Sequence, residues 1–287
     1  MADAQTVRGS PSLVRRVLIG LAITWLLAAL ALPIAILFTT AFSEGWQAFV
    51  ETFGRPDLLH AKWLTLLAVL GALVVNLLFG LTAGWTVART KLPGRRLVSM
   101  LLDLSIVVPP VIAGLMILLL YGRRGWFGTL LESADIKVVF ALPAIVLATI
   151  FVTLPFVAKE VISVLEETGE NEENAAATLG ASRMQTFFLV VLPNLKWALF
   201  YGIVLTVARA LGEFGGVLVV SGNLIGKTQT LPLFIEHAYT NYETVAAFAA
   251  AVPLAVAAAL TLFVKGVVAA VERRLAEDSA IPSEGRR

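Results

Sequence analysis

Residues 174–193 read NAAATLGASRMQTFFLVVLP, and their setting decides the fold. The stretch lies in about thirty-five residues of polar and amphipathic sequence, and on both sides the chain is almost continuously apolar. A helix-forming polar segment between two apolar runs is a loop outside a membrane, so the flanking runs must be read first.

Of the 287 residues, 58% are hydrophobic and only 15% charged, with a mean hydropathy of +0.86. A soluble domain carries nearer about a quarter charged residues. Crossing the hydrocarbon of a bilayer takes about 20 apolar residues, and six runs qualify: Val17–Phe38, Leu64–Ala88, Leu97–Tyr121, Val138–Ala158, Leu195–Val220 and Val245–Val271. The sequence therefore predicts an all-α integral membrane protein with six transmembrane helices. Residues 1–16 and 272–287 are tails around a membrane domain, 17–271, whose long internal loop is 159–194. The first run exceeds a signal-peptide core and no clear cleavage site follows it, so it reads as a span.

Lysine and arginine set the orientation. With the N-terminus inside, the cytoplasmic side holds Arg8, Arg15, Arg16, Arg89, Lys91, Arg95, Arg96, Lys159, Arg183, Lys196, Lys265, Arg273, Arg274, Arg286 and Arg287. The outer side holds Arg55, Lys62, Arg123, Arg124, Lys137 and Lys227. That places both termini and the 159–194 loop in the cytoplasm. Trp46, Trp63, Trp126 and Trp197 fall near span ends, where an indole ring suits the interface.

Within the loop, Asn171 is positioned to cap a first helix, with Glu172 and Glu173 in its first turn, where negative charge suits the helix dipole. Ala175, Ala176 and Ala177 favour helix, and Gly180 supplies a left-handed residue to end it. Ser182 is a cap for a second helix, RMQTFFLVVL, which Pro193 is expected to stop. A short helix with a smooth alanine face, held at a membrane surface, suits the groove of another protein. The alternative is a helix that merely connects two spans.

The loop resembles the EAA motif of bacterial ABC-importer permeases: Glu-Ala-Ala, three residues, Gly, nine residues, Ile, one residue, Leu-Pro. Here it reads Asn174-Ala175-Ala176, Gly180, Val190 and Leu192-Pro193. The spacing agrees. Asn174 departs from the pattern, removing a carboxylate that could pair with a basic residue of an ATPase. Glu173 sits about 100° away round a helix and does not simply replace it. Further stretches resemble the sulfate/thiosulfate permeases, the CysW type in particular: NLKWALFYG, ARALGEFGGVLVVSG, TQTLPLFIEHAYTNY, DLSIVVPPVIAGLM and FALPAIVLATIFVTLPFVAKE. Together they cover about Gly45 to Lys265. The resemblance implies a type I importer permease fold in the bacterial cytoplasmic (inner) membrane, with 159–194 as coupling loop. It also implies a second, CysT-type permease subunit, two ATPase subunits that hold ATP and Mg, and a periplasmic sulfate-binding protein. Sulfate or thiosulfate would be cargo, moved by alternating access. A homodimeric molybdate or tungstate importer is the alternative within the class; a channel or a membrane-embedded enzyme lies outside it.

The remaining candidates are few. Arg209 and Glu213, at i and i+4 in the fifth run, share a helix face. Charges at that depth are costly and face protein or water, so the pair reads as structural or gating, or as a direct influence on a passing dianion. Ala208, Gly212 and Gly216 form a small-residue row suited to helix packing. Pro109-Pro110 must break the third run, either as a kink that lines a path or as a packing kink. Asp103 in that run reads as capped or water-facing. GNLIGKT, residues 222–228, has three residues between its glycines where a phosphate loop has four. No cysteine is present, and His60 and His237 lie in separate outer loops with no His-Glu-x-x-His pattern, as ordinary surface histidines would. No catalytic or metal site, no bound cofactor and no nucleic-acid partner is expected of this chain. Reporter fusions after Arg96, Asn194 and Arg287 should all read cytoplasmic; a periplasmic signal at Asn194 would remove the basis for a coupling loop.

Overall fold

The computed structural model describes residues 13–90 and 93–280, and no strand occurs among them. Arg8, Lys91, Arg286, Arg287 and most of the N-terminal tail lie outside the described residues. Among the described residues, four helices are long and apolar enough to cross a membrane: α1 (Leu13–Ala41), α3 (Pro56–Arg89), α7 (Leu142–Thr168) and α14, Thr244–Ala280. A short α2 (Gly45–Gly54) precedes α3, which begins at Pro56, well before the expected Leu64. Helix α14 runs on unbroken to Ala280, past the expected end of the sixth span at Val271.

The third and fifth runs are not single helices. The third divides into α4 (Arg95–Val107) and α5 (Pro110–Tyr121), bent by 115°. Pro110 opens α5, where its missing N–H costs nothing, and Pro109 restricts Val108 to an extended backbone that no helix continues. A turn, α6 (Gly128–Ser133), then leads to α7. The fifth run divides into α11 (Lys196–Leu211) and α12 (Gly215–Ser221) around Gly212–Phe214. A further helix, α13 (Leu231–Thr240), packs between α3 and α14. The expected row Ala208, Gly212, Gly216 is therefore no single helix face. Gly212 sits at the break with open space where a Cβ would be, and Gly216 packs instead against the Pro110 carbonyl.

The packing row lies on α3. Ala68, Ala72, Asn76, Gly80 and Gly84 are buried at helical spacing on the side of α7, while nearer the start of α3 Ala61 packs with α13 and α14 and Thr65 accepts the Leu231 N–H of α13. Small residues let two backbones approach where lipid supplies no hydrophobic drive. A Cβ at Gly80 would lie 2.7 Å from Val157 Cβ, and one at Gly84 would lie 2.6 Å from Val161 Cγ1. Gly202 brings α11 similarly close: a Cβ there would lie 2.8 Å from Val157 Cα. Inside this contact Asn76 Nδ2 donates to Thr153 Oγ1 at 2.6 Å. At the opposite end of α3 from Gly84, Arg55 joins Asp57 (2.9 Å) and Glu243, tying the start of α3 to the start of α14; those two hydrogen bonds raise the guanidinium pKa above its ordinary value. We expect Gly80→Ala to destabilise the purified protein by about 1–3 kcal/mol through overpacking. Gly20→Ala, in open space on α1, serves as control, and equal thermal midpoints for the two variants would contradict the packing assignment.

Candidate functional site

The loop after α7 folds as a compact hook. Helix α8 (Asn171–Thr178) starts with Glu172 and Glu173 in its first turn. Glu170, rather than Asn171, holds the cap position, and neither side chain makes a capping bond. Gly180 has φ +85°. The Ala181 N–H returns to the Ala176 carbonyl (3.1 Å) and the Gly180 N–H to that of Ala177 (3.0 Å). This is the two-bond closure by which a left-handed glycine ends a helix. Ser182 then opens α9 (Arg183–Thr186) with a reciprocal pair: its Oγ accepts from the Gln185 N–H, and Gln185 Oε1 accepts from the Ser182 N–H.

Pro193 does not stop this second segment. Phe187–Val191 form a π-helical turn in which the Leu192 N–H reaches the Phe187 carbonyl, and α10 (Leu192–Asn194) follows. Proline lacks the N–H that the Leu189 carbonyl would receive in an α-helix, and the wider turn carries the chain past it. The segment then bends by 63° into α11. Phe187 packs edge-on to Trp85 of α3 at 5.1 Å. Val191 and Leu195 are buried with Val157, Val161 and Leu165, so the hook is seated where the end of α3, the end of α7 and the start of α11 meet.

Of the expected loop residues, Asn174 and Ala175 are exposed and Ala176 is half-buried; Leu179, which the sequence does not single out, protrudes at 89% exposure. Glu172, Ala175, Ala176, Leu179, Leu189, Val190 and Asn194 line an open cleft of about 400 Å³. Glu173 faces the other way. Its Oε1 is 2.7 Å from Nε of Arg89, at the end of α3. The sequence does not single out Arg89. The pairing spans 84 residues, and neither spacing nor periodicity links positions that far apart.

The second group lies where the two broken helices cross. Gly215 and Gly216 sit against Pro110, and Gly114 of α5 against the Gly216 carbonyl. Arg209, in the last turn of α11, puts Nη1 2.8 Å from Glu213 Oε2. The helix ends between them, so they meet across its terminus and not along a continuous face. The contact is an ion pair without an aligned hydrogen bond. Glu213 Oε1 accepts the Gly216 N–H at 2.8 Å, serving the start of α12. The Glu213 side chain is 1% exposed and that of Arg209 34%, so one edge of the guanidinium is open. Asp103, expected to be capped or water-facing, pairs with Lys159 of α7 at 2.7 Å, both half exposed.

Residues 76–277 match the family model described as the binding-protein-dependent transport system inner membrane component. The chain belongs to this family. It is 48% identical over 268 residues (93% of this chain, 96% of the relative) to the sulfate transport system permease protein CysW of Synechocystis sp.. To the CysW protein of Escherichia coli it is 46% identical over 251 residues, covering 88% and 86%. To the sulfate transport system permease protein CysT of Salmonella typhimurium it is 37% identical over 245 residues, covering 85% and 88%. The fold is that of a chain in a crystal structure of a bacterial alginate ABC transporter in complex with alginate pentasaccharide-bound periplasmic protein, with a TM-score of 0.74 at 16% identity over 91% and 94% of the two chains.

Removing one partner of a buried ion pair leaves the other uncompensated, typically about 3–5 kcal/mol. Because Arg209 is a third exposed, solvent screening reduces this to roughly 1–3 kcal/mol here. Glu213→Ala should cost more than Arg209→Ala, since it also strands the Gly216 N–H. The double variant should cost less than the two singles together, read from thermal midpoints in detergent. Strict additivity would show that the two charges do not interact.

Proposed function

We propose that this chain is the permease subunit of an ATP-driven sulfate importer, thiosulfate included. The observation that carries the reading is identity of 46–50% with CysW sulfate permeases over about nine-tenths of the chain, joined to a loop with EAA spacing. The same reading supplies the partners: a second permease of CysT type, two ATPase subunits that bind ATP and Mg, and a periplasmic sulfate-binding protein. Similarity of the chain to CysT proteins as well as CysW proteins supports two related permeases in one assembly. The chain lies in the bacterial cytoplasmic membrane with both termini inside, as the lysine and arginine distribution requires.

In this reading the chain forms half of the path and receives mechanical work. Helix α8 enters a groove of the ATPase, with Asn174, Ala175 and Leu179 outermost and Ala176 beside them. Asn174 cannot form the carboxylate ion pair of the EAA pattern, so shape dominates the contact. The turn through Val190, Leu192 and Pro193 carries the displacement into α11. At the far end of α11 stands the Arg209–Glu213 pair, beside the breaks at Pro109-Pro110 and Gly212–Phe214. A guanidinium fork matches sulfate oxygens, and Glu213 holds it from behind. The pair acts as gate: a dianion at the open edge of Arg209 competes with Glu213, and the broken helices allow the local backbone to follow. A rigid helix would offer no such freedom at mid-membrane.

Gly180→Val tests the loop. A side-chain-bearing residue at this φ costs about 1–2 kcal/mol, which continuing α8 would avoid while swinging Ala175 and Ala176 away. We expect the variant to insert normally, to retain less ATPase on co-purification and to take up less radiolabelled sulfate in cells. Asn174→Glu should be tolerated. Full ATPase retention with full uptake in Gly180→Val would show that the loop does not couple the two subunits.

A further inference from the structure

Helix α8 buries no residue of its own. Apart from its backbone turn at Gly180, two polar ties among the described residues hold it to the bundle. Asn194 of α10 donates to Glu172, and Arg89 of α3 pairs with Glu173. Arg89 does more than neutralise a carboxylate. Its Nη1 donates to the Leu165 carbonyl at 2.6 Å and its Nη2 to the Gly169 carbonyl at 2.5 Å, at the C-terminal end of α7. A cation there also satisfies the negative end of that helix. One guanidinium therefore joins the ends of α3 and α7 to the loop helix. The Arg89 side chain is only 7% exposed and that of Glu173 20%. Water and salt have little access, so the joint is stiff where an exposed ion pair would be soft.

We infer that Arg89 is the positioning residue through which displacement of the loop helix reaches the bundle; this rests on the reading that α8 contacts the ATPase. The reason is mechanical. Helix α3 and helix α7 are locked backbone to backbone at Gly80 and Gly84, so a force delivered at Arg89 moves both together. Helix α7 then carries it to Ala148, which lies against Gly216 beside the Arg209–Glu213 pair. Without the Arg89–Glu173 contact, α8 is left on the Glu172–Asn194 bond and the turn at Gly180, free to rock while the bundle stays still. Arginine is required because lysine, a point charge, cannot reach a carboxylate and two carbonyls with one fork.

The test uses the intact complex in liposomes, measuring ATP hydrolysed and radiolabelled sulfate taken up. Allosteric couplings are typically about 5- to 150-fold. Glu173→Ala should keep the ATPase bound and hydrolysing while uptake per ATP falls at least about fivefold, at the low end of that range. Glu173→Gln, whose amide oxygen still accepts from Arg89, should be intermediate, and Arg89→Lys should resemble Glu173→Ala. Since the chain has no cysteine, spin labels at Thr82→Cys on α3 and Thr178→Cys on α8 report the joint directly. Their distance distribution should be narrow with Glu173 present and broad in Glu173→Ala. An unchanged uptake-to-ATP ratio, or uptake and hydrolysis falling together with the amount of complex, would make Arg89 a structural tie and overturn the inference, as would an unchanged label width. The label measurement does not depend on cargo. A complex that failed to take up sulfate would sink the substrate reading while Arg89 was still judged by label width.

Discussion

The contact on which the structure depends is the backbone approach of α3 to α7. Within a bilayer, apolar side chains gain little by leaving lipid for protein, so helices associate through close van der Waals contact and interhelical hydrogen bonds. Gly80 and Gly84 permit the first, against Val157 and Val161. Asn76 and Thr153 supply the second. Gly202 sets α11 on the same valine. Both candidate regions hang from this three-helix spine: the hook of residues 171–194 at one end, and the crossing of the broken helices towards the other.

The spine explains where the chain departs from regular helix. Three long elements fill the centre, and α5 and α12 are short pieces laid against it, joined to each other through Gly114, Pro110, Gly215 and Gly216. Breaking a helix in a membrane strands backbone donors and acceptors. Here Glu213 takes the Gly216 N–H, and the Pro109 carbonyl accepts from Ile112 and Ala113. The carboxylate that steadies Arg209 thus also repairs the start of α12, so the electrostatics and the backbone of this region are one problem with one solution.

Much of this is legible in the sequence, and what is not has a common cause. Six apolar runs, the loop, the glycine that ends α8 and the Ser182 cap depend on neighbouring residues, and local patterns reveal them. The charge pair at Arg209 and Glu213 is visible from spacing, but the helix end between them is not, because Gly212 is tolerated inside many apolar helices. The sequence points to a small-residue row on the fifth run, where Ala208, Gly212 and Gly216 repeat, whereas the packed row is on α3. There the repeat is interrupted by Asn76, which reads as polar until its partner Thr153 is known. Pro193 reads as a stop because the π-turn that accommodates it has no sequence mark. Arg89 is invisible for a different reason: its three partners come from elements brought together only by the fold.

The π-turn Phe187–Val191 has a consequence for the angular phase of the chain. Relative to an α-helix it places one extra residue in the turn, and one residue corresponds to about 100° of rotation about the helix axis. The face that α9 presents outside the membrane and the face that α11 presents to α7 are therefore set against each other by this single widened turn. Phe187 and Val191 point into the bundle while Phe188 and Leu189 point out of it. Tightening the turn to α-helical geometry would rotate the whole hook about the fifth span. In such a chain the helical pitch acts as a dial, and the length of one turn decides which side chains the hook turns away from the bundle.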